Sequence, residues 1–113
     1  MQSLQNKTIF IETNEFVMKS LNEIKKLLEH NKPKLTAKYH IKNIGLFGSI
    51  VRGDATAKSD VDILVEFEKP IGLDFVSLAD ELEDILGVKV DLVTPNAIKP
   101  RMFEYIKQDL VYV

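Results

Sequence analysis

The spacing of hydrophobic residues predicts a helix in three stretches of the chain. Apolar residues recur there every three or four positions, which gives a helix one apolar face. These stretches are residues about 14–30, about 73–86 and 100–108. We expect Thr13 to cap the first helix and Gly87 to end the second. Residues 31–40 contain Pro33 and are predicted to be a connector.

Shorter apolar runs predict strands at 44–47, 60–67 and 88–93. The run 60–67 alternates polar and β-branched residues, as a half-buried strand does. The apolar tail 110–113 either completes the core or forms a surface for a partner, and completion of the core is favoured. Strands interspersed with helices predict an α/β (α+β) fold, with a small mixed sheet and helices packed on one face.

A glycine and a serine follow the first predicted strand, and a pair of aspartates lies ten residues further along. Gly48 lets the backbone approach an anion closely, and Ser49 offers a hydroxyl beside the first amides of a short helix. Asp60 and Asp62 are two residues apart, so in a strand both side chains leave the same face. This segment therefore combines an anion-binding turn with a carboxylate pair.

The two carboxylates predict a bound cation. Unit charges about 4 Å apart repel by roughly 4 kcal/mol near a protein surface, where the effective dielectric constant is about 20. A divalent cation removes this repulsion, and magnesium is usually held by one or two carboxylates together with phosphate oxygens. We therefore expect Asp60 and Asp62 to bind magnesium and the Gly48-Ser49 turn to bind a triphosphate.

A third aspartate fits the same plan. Asp91 lies in the strand-like run 88–93, and it can join Asp60 and Asp62 if that run lies beside 60–67. Three carboxylates on neighbouring strands suit two metal ions, one near the α-phosphate and one near an acceptor hydroxyl. Asp91 would also serve as the general base. The opposing interpretation, an isolated aspartate in an amphipathic strand, carries more weight for Asp91 than for the pair.

Together these residues resemble the minimal nucleotidyltransferase (MNT) family of the DNA polymerase beta-like superfamily. The family pattern is Gly-Ser, a short spacer, Asp-x-Asp and a later Asp, and the likeness extends over the chain from about residue 40. The flanking runs Arg52-Gly53-Asp54 and 90–95 resemble the family too. The resemblance implies a nucleotidyltransferase-like fold, with 1–113 as one domain and a catalytic core at about 41–113.

The resemblance implies transfer of AMP from ATP to a hydroxyl group with magnesium. Many stand-alone members are antitoxins encoded beside a HEPN-type ribonuclease toxin, and some adenylylate a tyrosine of that partner. Carried over residue by residue, Gly48 and Ser49 hold the phosphates, Asp60 and Asp62 hold the metal ions, and Asp91 serves the second metal ion and the acceptor.

Three further residues near the motif keep two interpretations each. Arg52 either steadies the triphosphate, because guanidinium groups suit phosphate, or is a surface arginine. Ser59 either contacts phosphate or hydrogen-bonds within its loop. Asp54 follows a glycine and is predicted to be a turn or capping residue rather than a ligand.

Composition narrows the classes of function. The chain has 113 residues, 45% of them hydrophobic and 28% charged, which is typical of a soluble globular domain. A net charge of −2 disfavours strong nucleic-acid binding, and no apolar run reaches the roughly 20 residues that cross a bilayer. The absence of cysteine fits the cytoplasm, which we expect to be the location.

Two alternatives to protein adenylylation follow from the same residues. The first is a non-catalytic antitoxin that keeps the fold and neutralises its partner by binding. Asn substitutions at Asp60 and Asp62 distinguish this alternative, because blocking should survive them and transfer should not. The second, a sugar-nucleotide transferase using Asp-x-Asp, is weaker because its usual nucleotide domain needs a longer chain.

Overall fold

A computed structural model describes residues 19–113 of the chain. Within this range the elements follow one another as α1 (Leu21–Tyr39), β1 (Ile41–Phe47), α2 (Ser49–Arg52), β2 (Val61–Phe67), α3 (Asp74–Leu86), β3 (Val90–Val93), a 3-10 turn (Pro95–Ala97), α4 (Pro100–Lys107) and β4 (Val111–Tyr112). No helix in residues 19–113 is both long enough and apolar enough to cross a membrane.

The strands form a mixed four-stranded sheet in the order β3-β2-β1-β4. The central pair β1 and β2 is antiparallel, and β4 is antiparallel to the other edge of β1. Strand β3 lies parallel to β2, because α3 returns the chain to the same end of the sheet. The predicted mixed sheet is confirmed.

One face of the sheet carries the hydrophobic core. Alternate residues of β2 point to this face, and α1 and α3 pack against it. Its fully or nearly fully buried members are Ile24, Leu28, Leu35, Tyr39, Ile41, Ile44, Leu46, Ile50, Val61, Ile63, Val65, Leu78, Leu82 and Leu86. The predicted packing of helices on one face is therefore confirmed, and we call this surface the core face.

The opposite face carries the other residues of the strands. In β2 these are Asp62, Leu64 and Glu66, and β3 adds Asp91 next to Asp62. Leu64 is buried, and its neighbour Gly45 lies under the side chain of Leu110, which follows α4. The C-terminal segment therefore covers the middle of this face and leaves its carboxylate end open, and we call this surface the acidic face.

The first helix differs from its prediction. It was expected at about 14–30 with a connector at 31–40, but it runs over Leu21–Tyr39 and continues through Pro33. Leu35 and Tyr39 are buried, and burying such side chains contributes about 1.5–3 kcal/mol each, which offsets a proline penalty of about 3 kcal/mol. Burial against residues distant in sequence therefore determines where this helix ends.

The start of α1 is set by Ser20. The Ser20 hydroxyl accepts a hydrogen bond from the Glu23 amide (3.2 Å), and the Glu23 carboxylate accepts one from the Ser20 amide (2.8 Å). This reciprocal pair is a capping box. The predicted cap, Thr13, and the predicted helical residues 14–18 lie outside the described residues.

The other predicted helices agree well with the structure. The helix expected at about 73–86 is α3, and Gly87 ends it in a left-handed conformation (φ 69°) as predicted. The helix expected at 100–108 is α4, with Pro100 in its first turn. The tail forms β4, where Val111 pairs with Leu46 of the central strand. The tail thus joins the sheet, and Val113 packs against the core, as the favoured interpretation predicted, while Tyr112 stays exposed.

Candidate nucleotide and metal site

The Gly-Ser turn connects the end of β1 to the short helix α2. Gly48 has φ 76° and ψ −151°, a conformation that residues with a side chain rarely adopt, so the chain can reverse here only at a glycine. Ser49 begins the helix, and the amides of Val51 and Arg52 both bond to the Gly48 carbonyl (3.0 Å each). The first amides of a helix lack intrahelical partners and can bind an anion.

Gly48 also lies directly against Asp62. A Cβ atom at position 48 would overlap Oδ2 of Asp62, so any residue other than glycine would displace the Asp62 carboxylate. This close approach places the backbone of the turn beside a carboxylate of the neighbouring strand. The two halves of the predicted site are therefore adjacent in space.

A row of paired residues crosses the sheet at the same level. Phe47 pairs with Asp62 in the antiparallel ladder, and Asp62 pairs with Asp91 in the parallel ladder. Asp62 and Asp91 thus leave the same face on neighbouring strands. Asp60 lies one residue before β2 begins and is exposed, so it belongs to the loop rather than to the predicted strand 60–67.

The three carboxylates influence one another electrostatically. Partial burial raises the pKa of Asp62 from 3.8 to about 6, and repulsion from Asp91 and then Asp60 contributes to the increase. Arg52 opposes the shift, so its positive charge lies near the same carboxylate. The acidic face therefore holds a cluster of charge that a cation would stabilise.

Arg52 is held by two carboxylates at the edge of this cluster. Its Nε donates to Oδ2 of Asp54 (3.2 Å), and its Nη1 donates to Oδ2 of Asp109 (3.0 Å). These bonds raise the pKa of Arg52, with Asp109 contributing most and Asp54 next. Asp54 therefore pairs with an arginine rather than serving only as a turn residue.

Asp109 was absent from the predicted site. It lies 57 residues after Arg52, beyond the end of α4, and no local pattern connects the two residues. Only a prediction that the tail would return beside β1 would have indicated the contact. Spacing arguments of the kind that identified Asp62 operate within one strand and cannot detect it.

Ser59 bonds within its own loop. Its hydroxyl accepts a hydrogen bond from the Thr56 amide (2.9 Å), and its amide donates to the Thr56 carbonyl (2.9 Å). Of its two interpretations, the structure shows the loop contact. This turn sets the approach of the chain to Asp60.

A family model for the nucleotidyltransferase domain matches residues 21–113, which is most of the chain. The chain belongs to this family of nucleotidyltransferases. The match covers the Gly48-Ser49 turn, all three aspartates and the C-terminal segment that carries Asp109. The enzyme class expected from the sequence is confirmed.

Relatives of this nucleotidyltransferase carry more specific names. A Methanocaldococcus jannaschii protein provisionally named a protein adenylyltransferase is 51% identical over 98 residues, covering 85% of this chain and 100% of its own length. Protein adenylyltransferase MntA of Thermococcus cleftensis is 42% identical over 97 residues, covering 85% of this chain and 98% of its own length. The chain thus resembles these relatives along almost their entire length.

Solved structures give the same result for the fold. A protein provisionally described as a minimal nucleotidyltransferase superposes with a TM-score of 0.65 at 33% identity, covering 78% of this chain and 93% of its own. A chain from a toxin–antitoxin crystal structure with AMP-PNP superposes with a TM-score of 0.59 at 28% identity, covering 80% of this chain and 69% of its own. A chain from the complex of the tri-AMPylated Shewanella oneidensis HEPN toxin with MNT antitoxin superposes with a TM-score of 0.51 at 26% identity. The match covers 89% of this chain and 69% of that chain.

The donor set of this nucleotidyltransferase fits a hard divalent cation. Asp60, Asp62 and Asp91 offer carboxylate oxygens, and their mutual repulsion at Asp62 shows that they share one region. Among residues 19–113, no group of three or more histidine, cysteine, aspartate or glutamate side chains is arranged to hold a metal ion by itself. Magnesium sites at phosphoryl groups are commonly completed by substrate oxygens, so an open set of carboxylates suits them.

Proposed function

We propose that this nucleotidyltransferase transfers AMP from ATP to a hydroxyl of a partner protein, a HEPN-type toxin, and thereby acts as an antitoxin. The observation that carries the proposal is the contact between Gly48 and Asp62, with Asp91 in register on the next strand. A turn suited to phosphates and a carboxylate cluster suited to magnesium thus meet at one place. This arrangement suits phosphoryl chemistry on a bound nucleotide.

Each residue of the cluster has a distinct task in this proposal. Gly48 and Ser49 hold the triphosphate, and Arg52 binds the phosphates that leave as pyrophosphate. Asp60, Asp62 and Asp91 would together hold two magnesium ions, which would supply charge stabilisation at the phosphoryl oxygens. Ser59 shapes the loop before Asp60 through its bond to Thr56.

The reaction forms one bond and breaks another at the α-phosphorus. The acceptor oxygen bonds to that phosphorus, and the bond to the oxygen bridging the α- and β-phosphates breaks, so pyrophosphate leaves. The proton of the acceptor hydroxyl passes to the Asp91 carboxylate, which is exposed at the acidic face. The Gly48 turn keeps the triphosphate in place for an in-line approach.

The partner is inferred from the family neighbours and from the open end of the acidic face. The solved neighbours include a HEPN toxin that carries AMP groups while bound to an MNT antitoxin. The acidic face is open at its carboxylate end, and Leu110 covers its middle, so a macromolecular acceptor can approach from outside. We place the reaction in the cytoplasm, as the sequence predicts.

The experiment uses the purified chain, the product of the neighbouring gene, magnesium and α-labelled ATP. We expect label on the partner with the wild-type chain and a loss of at least about 1000-fold, roughly 4 kcal/mol, with Asp62→Asn. Asp60→Asn and the double variant should fail likewise.

Glu66→Gln is the matched control. Glu66 lies on the same face of the same strand, but its carboxylate accepts a hydrogen bond from Asn43 (2.9 Å), which a glutamine oxygen can also accept. We expect this variant to label the partner at the wild-type rate. A tight complex without label, which still blocks the toxin when Asp60 and Asp62 are replaced, would establish the non-catalytic antitoxin instead.

A further inference from the structure

The Arg52 side chain is held in a fixed orientation before any nucleotide binds. It lies one helical turn after the Gly48-Ser49 turn and at the end of α2. A guanidinium group has five N–H donors in a planar fork. Three of them bond to carboxylates, Nε and Nη2 to Asp54 (3.2 and 3.5 Å) and Nη1 to Asp109 (3.0 Å). Two N–H groups therefore remain for a ligand.

The two carboxylates differ in how firmly they are placed. The Asp54 side chain is 62% exposed and lies only two residues after Arg52, just beyond the end of α2. The Asp109 side chain is only 22% exposed, and its backbone amide bonds to the Ile106 carbonyl (3.0 Å) at the end of α4. Leu110, the next residue, packs over Gly45, so the backbone is fixed on both sides of Asp109.

The contact between Arg52 and its two carboxylates adds little to stability because Arg52 is exposed. Exposed ion pairs contribute little to the stability of a fold, because solvent screens them and ordering the side chains opposes them. The same hydrogen bonds restrict the rotamers of the arginine, so less side-chain freedom has to be lost when a ligand binds. A prearranged Arg52 therefore favours an anionic ligand more than it favours the fold.

Resting on the proposed function, we infer that Asp109 is a positioning residue that orients Arg52 toward the triphosphate. The C-terminal segment would then be a working part of the nucleotide site, although it lies far from the Gly-Ser and Asp-x-Asp motifs in sequence. Asp109 touches no substrate in this scheme and acts only through Arg52. Asp54 holds the opposite side of the same guanidinium group.

Electrostatics alone predicts the opposite effect of removing Asp109. A carboxylate beside an anion-binding site repels the triphosphate, so its removal would strengthen binding if charge were the only factor. The positioning role predicts weaker binding, because Arg52 would lose its fixed orientation. The sign of the change therefore separates the two explanations.

The test measures binding of magnesium and an ATP analogue whose α- and β-phosphates are joined by a methylene group, by calorimetry without acceptor. We expect Asp109→Asn to weaken binding about 10-fold and Asp109→Glu to restore most of the loss. In an Arg52→Ala background, Asp109→Asn should add no more than about 2-fold, because it acts through the missing side chain. Glu104→Gln, on α4 and paired with Lys107 (2.9 Å), should bind as the wild type does.

Other outcomes would overturn the inference. Unchanged or tighter binding in Asp109→Asn would do so, as would an equal loss with and without Arg52, since that pattern indicates a general structural effect. If the wild-type chain bound no nucleotide, the proposed function would fall together with this inference. Normal binding without transfer to a partner would overturn the proposed function alone.

Discussion

The two faces of the sheet are built from the same strands but differ in burial and in charge. On the core face, alternate residues of β2 are apolar, buried and covered by α1 and α3. On the acidic face, the intervening residue Asp62 is half-buried beside Asp60 and Asp91, with a pKa of about 6. One face stabilises the fold, while the other holds carboxylates whose mutual repulsion a bound cation would relieve.

Stability and function reside on opposite faces of the sheet in this small domain. Because side chains alternate along a strand, a single strand can serve both purposes without conflict. A substitution on one face should therefore change stability and leave the chemistry intact, and a substitution on the other should do the reverse. Substitutions on each face therefore measure how far stability and chemistry are separated.

The largest effect on stability is expected on the core face. Leu82 is fully buried between α3 and the sheet, so Leu82→Ala should lower the free energy of unfolding by about 3 kcal/mol through lost burial and a residual cavity. Denaturant unfolding measures this change. Leu73→Ala is the control, because Leu73 is 89% exposed at the start of the same helix and should change stability by less than about 0.5 kcal/mol.

The next effect is expected at the turn beside the acidic face. Gly48→Ala would push a methyl group into Asp62, so we expect AMP transfer to fall about 100-fold, roughly 2.7 kcal/mol in the barrier. Gly53→Ala is the matched control. Gly53 also has a positive φ (86°), but a Cβ there meets nothing within 4 Å, so this variant places alanine at a positive φ without the overlap. Equal losses in both variants would contradict the role given to the Gly48 contact.

A smaller effect is expected where the two helices meet above the core face. The Tyr39 hydroxyl donates to Oε1 of Glu81 (2.8 Å), joining α1 to α3. Tyr39→Phe should cost about 1.5 kcal/mol at neutral pH, since the lost bond involves a charged acceptor. Tyr105→Phe, at a tyrosine that is 66% exposed, should cost nothing measurable.

The pH dependence of that contact has a definite sign. Hydrogen bonds from Tyr39 first, and then Lys38, lower the pKa of Glu81 below its ordinary 4.5. The folded state therefore favours the ionised carboxylate, and this contribution is present above pH 4.5 and is lost as the pH falls through the lowered pKa. The difference between wild type and Tyr39→Phe should shrink in that acidic range. A difference that stays constant with pH would contradict the assignment.

The smallest effect is a gain in stability on the acidic face. The pKa of Asp62 rises from 3.8 to about 6 on folding, so the folded state binds the proton more tightly and loses stability as the pH rises through that window. Asp62→Asn removes the charge and should stabilise the metal-free protein by on the order of 1 kcal/mol at pH 7, after allowance for solvent screening. The gain should disappear below about pH 4.

Glu66→Gln again serves as the control for that measurement. It removes a carboxylate from the same strand and the same face, and its stability should stay within about 0.5 kcal/mol of wild type. If Asp62→Asn were no more stable than Glu66→Gln at pH 7 without metal, the Asp62 charge would not lower the stability of the fold. That result would contradict the prediction.

Much of the site could be predicted from the sequence because its geometry is local. The alternation of β2 fixes the face of Asp62, and the close packing at Gly48 explains why a glycine stands there. The mixed sheet and the bounds of α3 followed from periodicity and from Gly87 as a stop signal.

The features that escaped prediction depend on contacts distant in sequence. Helix α1 passes through Pro33 because Leu35 and Tyr39 are buried against elements that follow later in the chain. Asp109 reaches Arg52 only because the tail pairs with the central strand β1. No local spacing rule contains this information, since it arises from the assembled sheet.

The most direct test of the central claim is the intact mass of the partner protein after production together with this chain. We predict that the partner carries one or more added AMP groups beside the wild-type chain and none beside Asp62→Asn, while both forms of the chain remain folded. An unmodified partner beside the wild type, or equal modification beside Asp62→Asn, would contradict the assignment of the acidic face as a site of AMP transfer.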